Sequence, residues 1–249
     1  DSRVEAVKFA IVVAEPGQDP QQPMSFTFIA SSLYDNPALL SKDPGYLSKL
    51  QSMPRVDRLR LLGEGKKGGN WNVRDAAGLV FSRGDFYVID VMPARVRRVV
   101  RYWDKAGTEG GGKYTAGVKI AWVEEFRFPF VVMDVVRGQW GSHNRERIIK
   151  QTTELDGLDV EQYIEMEPGS GGKERAENTI LNLAGYSVSA DRVTGAKSVR
   201  SKPYSSQVQA GNVALLRGEW NENYIREHDN YDPAKADKGQ IVVDQVDAS

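Results

Sequence analysis

The sequence predicts an α/β domain on a mixed sheet, and three observations carry that expectation. Between residues 86 and 140, "FYVIDVM", "VRRVVRYWD", "YTAGVKIAWVEE" and "RFPFVVMDVVRGQW" are strand-like and joined by short turns. Three antiparallel strands in sequence are the economical reading of that run. Downstream, helical and strand-like stretches alternate, which is the order of an α/β fold. Upstream, short Pro-punctuated stretches end in a region rich in Gly and charge, so a boundary falls near 64 to 84 and the chain divides into 1–75 and 76–249.

The elements follow in order. "VEAVKFAIVV" (4–13) suits a strand or a short helix, and the two are not separated by pattern. "EPGQDPQQP" (15–23) is a loop, and "MSFTFIASSL" alternates as a strand does. From "YDNPALL" to "LLGEG" the chain reads as short helices. In "KDPGYLSKLQSM" an Asp stands near a helix start with Pro just inside, and Leu47 and Leu50 lie three apart. Gly63 and "GKKGGN" close that region. After the strands, "SHNRERIIKQTTELDG" (142–157) is a helix that Ser142 can cap, with Ile148 and Ile149 on its apolar side. A strand "VEQYIEME", a helix "GGKERAENTILNLAGY" ending at Gly185 and a strand "SVSADRV" follow. "SSQVQAGNVALLRGEWNENYIREHDNY" holds a helix, a short strand and another helix.

Composition narrows the function. With 40% hydrophobic and 27% charged residues the chain has the balance of a soluble globular protein. There is no Cys, which excludes disulfides and Cys-based zinc sites and points to a reducing compartment. No apolar stretch approaches the roughly 20 residues of a membrane span, so no membrane partner is expected. No signal peptide opens the chain, and Asp1 in place of Met suggests a fragment. The net charge of −1 announces no global basic field, although "RVRRVVR" (95–101) is locally basic and "EHDNYDPAKAD" (227–237) mostly acidic.

The acids carry the chemistry. Asp104 closes a strand-like run, where Asp is a poor strand former and a lone buried carboxylate is costly. In "YIEME", Glu165 and Glu167 share one face and Ile164 and Met166 the other. Glu167 sits at the strand's end before "PGSGG", where α/β active sites tend to lie. In "IVVDQVDAS", Asp244 and Asp247 are three apart and become neighbours if a helix begins there. Oxygen-only ligands suit Mg²⁺ or Mn²⁺. Two such ions roughly 4 Å apart serve phosphodiester cleavage. Each acid taken alone is more often a solvated or paired residue, and Asp134 in "VVMDVV" has a similar setting with no role assigned.

Grouping these acids rests on wording. "YWDKAGT", "GVKIAW", "TTELDG", "EMEPGSGGKERAE", "VTGAKSVRSKPYSSQVQAGNVALLRGEWN" and "DQVDAS" resemble, in order and spacing, the C-terminal nuclease domain of the large terminase subunit of tailed bacteriophages. "FIASSLYDNPALLSKDPGYLSKLQSMPRVDRLRLLGEGKKGGNW" resembles the end of that family's packaging ATPase and its linker, so the resemblance covers about 26 to 249. It implies an RNase H-like sheet flanked by helices, preceded by a small α/β remnant of the ATPase domain and linker in 1–75. It implies a divalent-metal-dependent endonuclease that cuts concatemeric viral double-stranded DNA during genome packaging. By position, the resemblance makes Asp104, Glu167 and Asp244 the metal-binding and catalytic acids, with Asp247 a fourth. Where the family usually has His and Asp before the third acid, this chain has Val242 and Val243. It ends about one turn into that helix, which leaves the placement of the last acids in question.

The remaining features are read against the same family. "GSGGKE" (169–174) is not a P-loop, because position 167 is Glu and Glu174 follows Gly172-Lys173. It is read instead as a nest of backbone N–H groups beside DNA phosphate, with Lys173 in it. The ATPase engine is therefore expected upstream, outside this chain. "GTEGGGKYTAG" is a turn between strands whose functional version is a mobile hairpin with Lys113 that steers DNA. Lys197, Arg200 and Lys202 form a basic loop, either merely solvated or contacting phosphate without reading sequence. His143 and His228 lack metal-ligand spacing and read as structural or solvated. Trp71, Trp103, Trp140 and Trp220 read as core or near-core. The resemblance implies portal protein and terminase small subunit as partners in the full assembly, a monomeric fragment, and the host cytoplasm as location. The rivals are another RNase H-like enzyme of resolvase or transposase type, which has no need of the "DNPALL…GNW" segment, and a non-catalytic part of the motor that only grips DNA.

Overall fold

The computed structural model describes residues 9–11, 24–26, 32–63, 68–70, 72–73, 76–106 and 112–249. The loop at 15–23, Trp71 and the tip of the glycine-rich hairpin lie outside the described residues, as do most of "VEAVKFAIVV" and residues 27–31 within "MSFTFIASSL".

Two compact units divide the chain: 1–51 with 57–73, and 52–56 with 74–249. In the first, β1 (Phe9–Ile11) pairs antiparallel with β2 (Met24–Phe26). Three short helices follow, α1 (Pro37–Lys42), α2 (Tyr46–Gln51) and most of α3 (Arg55–Leu61). Asn36 begins α1 by accepting the Leu39 N–H at 3.1 Å, with Pro37 at the first helical position, where no N–H is needed.

The second unit is a seven-stranded mixed sheet flanked by helices. Its strands are β3 (Tyr87–Ile89), β4 (Val96–Asp104), β5 (Thr115–Val123), β6 (Phe130–Gly138), β7 (Val160–Met166), β8 (Val188–Arg192) and β9 (Val213–Leu216), in the order β3-β9-β6-β5-β4-β7-β8. β4, β5 and β6 are the antiparallel meander. β7 and β8 extend it in parallel beside β4, and β9 and β3 in parallel beside β6. Helices α4 (Ser142–Asp156), α5 (Ser170–Asn182) and α6 (Lys197–Gln209) provide the crossovers that parallel strands require, and α7 (Asn221–Asp229), α8 (Pro233–Asp237) and α9 (Asp244–Asp247) follow β9. Among the described residues no helix is long and apolar enough to cross a membrane.

The period of two along β4 sorts its side chains between the faces. Trp103 points to α4 and α5, where it packs with Ile149, Ile164, Ala176 and Leu183. Its Nε1 donates to Gln162 Oε1 at 3.0 Å. Gly117 opposite has no room for a side chain, since a Cβ there would stand 2.5 Å from the Trp103 ring. Arg101 lies on the same face, wholly buried. Its guanidinium donates to Asp156, Asp134 and the Gly117 carbonyl. That pairing is the role of Asp134. Tyr102 and Asp104 point to the opposite face, where Val118, Val132, Leu215, Val208, Tyr224 and Val246 bring α6, α7 and α9 onto the sheet. His228 is buried there against Phe81, Phe86, Tyr204 and Tyr224, a structural histidine.

Three local expectations are revised. Ser142 is the first residue of α4, and Gly141 holds the cap position. The basic stretch from Lys197 is helix, because α6 accommodates Pro203 internally, at the loss of one backbone bond. α8 was not expected, although Asp232, which accepts the Ala234 and Lys235 N–H groups, and Pro233 after it are a helix start in the sequence.

Candidate metal centre

Asp104 ends β4 on the face turned to α6 and α9. Its lateral neighbour across the parallel pairing lies one step beyond Trp103–Ile164, and that residue is Glu165. That register sets the two carboxyls side by side at the ends of their strands. Glu165 is mostly buried, and its Oε2 has no hydrogen-bond partner. Glu167 lies on the same face but past the end of β7. It is exposed and paired with Arg175. The strand geometry thus brings Glu165, and not Glu167, against Asp104. The alternation of "YIEME" already placed both glutamates on one face; the register with β4 decides between them.

The other two acids come from α9. Asp244 is buried, and its Oδ2 accepts the Tyr114 backbone N–H at 2.6 Å. Asp247, one turn on, is bonded by Lys197 and accepts Arg200 Nη2 at 3.1 Å. Arg200 Nη1 also stands 3.6 Å from Glu165 Oε1, so one guanidinium ties the β7 acid to the α9 acid. Of the two valines before Asp244, Val243 is in the core and Val242 is exposed.

Negative charge crowded into a dry corner sets the electrostatics. Burial first, then the Glu165 and Asp244 carboxylates, push the Asp104 carboxyl well above the usual range. Burial raises Glu165 and Asp244 as well, and it lowers Lys197. A carboxyl pair held back from ionising, with one buried oxygen lacking a partner, suits a hard divalent cation. Among the described residues no three acidic or histidine side chains are already arranged to hold a metal ion. Tyr114 engages Asp244, and Lys197 and Arg200 engage Asp247.

Residues 101–249, well over half of the chain, match the family described as Terminase RNaseH-like domain. The chain belongs to that family. The fold of the second unit, a mixed sheet flanked by helices, is the RNase H-like fold of the terminase domain. The crystal structure of the large terminase nuclease from thermophilic phage G20c with bound zinc is 12% identical, covering 68% of this chain and 94% of that one at a TM-score of 0.47. The same nuclease without a named metal is 13% identical, and with bound magnesium 14%, each at a TM-score of 0.45. No curated protein matches the chain.

Within this terminase domain the basic residues expected to meet DNA fall into two groups. Lys197 and Arg200 face inward and neutralise acids. Lys113 and Lys173 are exposed. Lys113 stands close enough to Asp104 and Asp244 to act on their charge, and Lys173 is 3.6 Å from Glu177 on α5. Lys202 is on α6 beyond Arg200, part-buried. "GSGGKE" opens α5. Gly172 lets the helix approach β7, since a Cβ there would lie 2.1 Å from the Glu167 carbonyl oxygen. Glu165 and Glu167 wall a cavity of about 310 Å³ with Lys105, Arg145 and Arg175. The cations beside that cavity were not singled out from sequence, because they are scattered over β4's exit, α4 and α5.

Proposed function

We propose that this domain is a divalent-metal-dependent endonuclease that cuts double-stranded viral DNA during genome packaging. The observation that carries the reading is the Asp104–Glu165 pair, two part-buried carboxyls side by side at the carboxyl ends of two parallel strands, one Glu165 oxygen lacking a partner. Asp104, Glu165 and Asp244 would hold Mg²⁺ or Mn²⁺, one ion or two, and Asp247 would support them. Glu167, ion-paired with Arg175, stands at the rim.

When bound, the metal supplies charge stabilisation at phosphorus and a lowered pKa for water. The protein does the remainder. Asp104 and Glu165 present oxygen donors from a rigid sheet, so their spacing costs little reorganisation. The Tyr114 N–H holds Asp244 in direction. Lys197 and Arg200 keep the acids compensated before the substrate arrives. Lys113 and Lys173 offer phosphate contacts that position the duplex without reading its sequence. Residues 1–75 are read as the end of the packaging ATPase domain and its linker, with ATP used by a motor upstream. Portal protein and a terminase small subunit are the assembly partners, and the host cytoplasm is the site of action.

Supercoiled plasmid cleavage tests the reading. Nicking and linearisation are expected in Mn²⁺ and Mg²⁺, not in EDTA and not with Asp104→Asn. Uncut plasmid in both metals, from folded protein, overturns it. One observation favours a second reading, a module that grips DNA without cutting it. The acids of α9 already have protein partners, and Val242 and Val243 add no ligand. Duplex binding with no metal binding would support that alternative.

A further inference from the structure

Asp244 and Asp247 ride on α9, a single helical turn, and an isolated turn does not fix its own orientation. Lys197 and Arg200 hold its far end through Asp247, and α7 holds Gln245 beside Asp244. The buried Glu227 carboxylate accepts the Gln245 backbone N–H on Oε1 and the Gln245 side-chain Nε2 on Oε2, both at 2.6 Å. Arg137 on β6 stands 3.3 Å from Glu227 Oε2 and lies over the Tyr114 ring, 3.4 Å from its centre. The Tyr114 N–H in turn holds Asp244. The contacts close a circuit, Glu227 to Gln245 to Asp244 to Tyr114 to Arg137 and back.

A buried carboxylate is a costly anchor where an apolar contact would pack as well, and Val246 already supplies such a contact on the same turn. What two directed hydrogen bonds add is an angle. With Gln245 held inward, rotation of α9 about its axis is resisted, and Asp244 keeps the direction in which it meets the Tyr114 N–H.

We propose that Glu227 is a positioning residue for metal binding: through Gln245 it sets the direction of Asp244 and touches neither metal nor substrate. The proposal rests on the nuclease reading above. A merely structural Glu227 would alter the melting temperature and leave metal affinity alone.

The test uses the full chain with Glu227→Met and Glu227→Gln. Mn²⁺ affinity is read by titration calorimetry, plasmid cleavage across Mn²⁺ concentration, and melting in EDTA. Glu227→Gln keeps the shape and presents one acceptor in place of two, so it carries the test if Glu227→Met does not fold. Expected are cooperative melting, Mn²⁺ affinity weaker by roughly tenfold to a hundredfold, and cleavage recovered at high Mn²⁺ with KM for DNA unchanged. Variants that match the parent in Mn²⁺ affinity overturn the positioning role, whatever their melting temperature. A parent that neither binds Mn²⁺ nor cuts overturns the nuclease reading and this role with it. A parent that does both, beside variants equal to it, overturns this role alone.

Discussion

Arg101 and Asp156 meet as a two-pronged pair between sheet and helix, Nε to Oδ2 at 2.6 Å and Nη2 to Oδ1 at 3.0 Å, with side chains only 1% and 3% exposed. Asp156 also receives Lys119 at 2.9 Å and Gln162 at 3.2 Å, and Gln162 receives Trp103. The pair therefore couples the end of α4 to the middle of the sheet. Asp156→Asn is expected to cost about 3–5 kcal/mol of stability, because it leaves a buried guanidinium short of charge. Urea denaturation measures it. A loss below about 1 kcal/mol would show that Asp134 alone suffices for Arg101.

The two glutamates of β7 separate cleanly. Glu165→Gln removes a buried acid beside Asp104 and is expected to lower plasmid cleavage by at least about a hundredfold, on the scale of several kcal/mol of lost charge stabilisation. Glu167→Gln touches an exposed ion pair and is expected to stay within a few fold of the parent. The reverse order of effects would restore Glu167 as the ligand.

Lys197 opposes a divalent cation in the acid cluster. Lys197→Met is expected to tighten Mn²⁺ binding while lowering stability in EDTA by about 1–3 kcal/mol, since Asp247 loses one of two cationic partners. Melting with and without Mn²⁺ reads both. A variant whose Mn²⁺ affinity is unchanged or weaker would make Lys197 a helper of the ion and not its competitor.

His228 makes stability depend on pH. Burial lowers its pKa from 6.5 to about 3, and its Nε2 has no partner. Between those values the unfolded chain takes up a proton that the folded chain refuses. The contribution of the neutral ring is therefore complete above pH 6.5 and is lost as pH falls, by up to about 1.4 kcal/mol per unit. The raised acids Asp104 and Glu227 act in the opposite sense. Urea midpoints of the parent and of His228→Phe at pH 7 and pH 5 isolate the ring. The variant is expected to lose less stability on acidification, and equal slopes would refute the assignment.

Much of this fold is legible in the sequence, because its parts are local. The strand-like runs "VRRVVRYWD" and "YTAGVKIAWV", joined by a short turn, give the meander, and Ile148 and Ile149 mark the apolar side of α4. The site is less so. That Asp104 is a candidate follows from an acid where strands disfavour one. That its partner is Glu165 follows only from register, which ties residues far apart in the chain. Lys197 and Arg200 read as a basic loop, solvated or contacting phosphate, and only tertiary packing makes that stretch a helix turned inward. The role of Glu227 is invisible in sequence, since nothing near "REHDNY" records that Gln245 will lie across from it.

The acids of this domain differ in how firmly they are anchored. Asp104 belongs to β4, an interior strand paired on both sides, and its departure requires the sheet to open. Asp244 belongs to one helical turn held by a handful of bonds. Partial opening of a protein begins where the fewest contacts must break. Asp244 is therefore expected to leave its place before the domain melts, while the sheet that carries Asp104 is still whole.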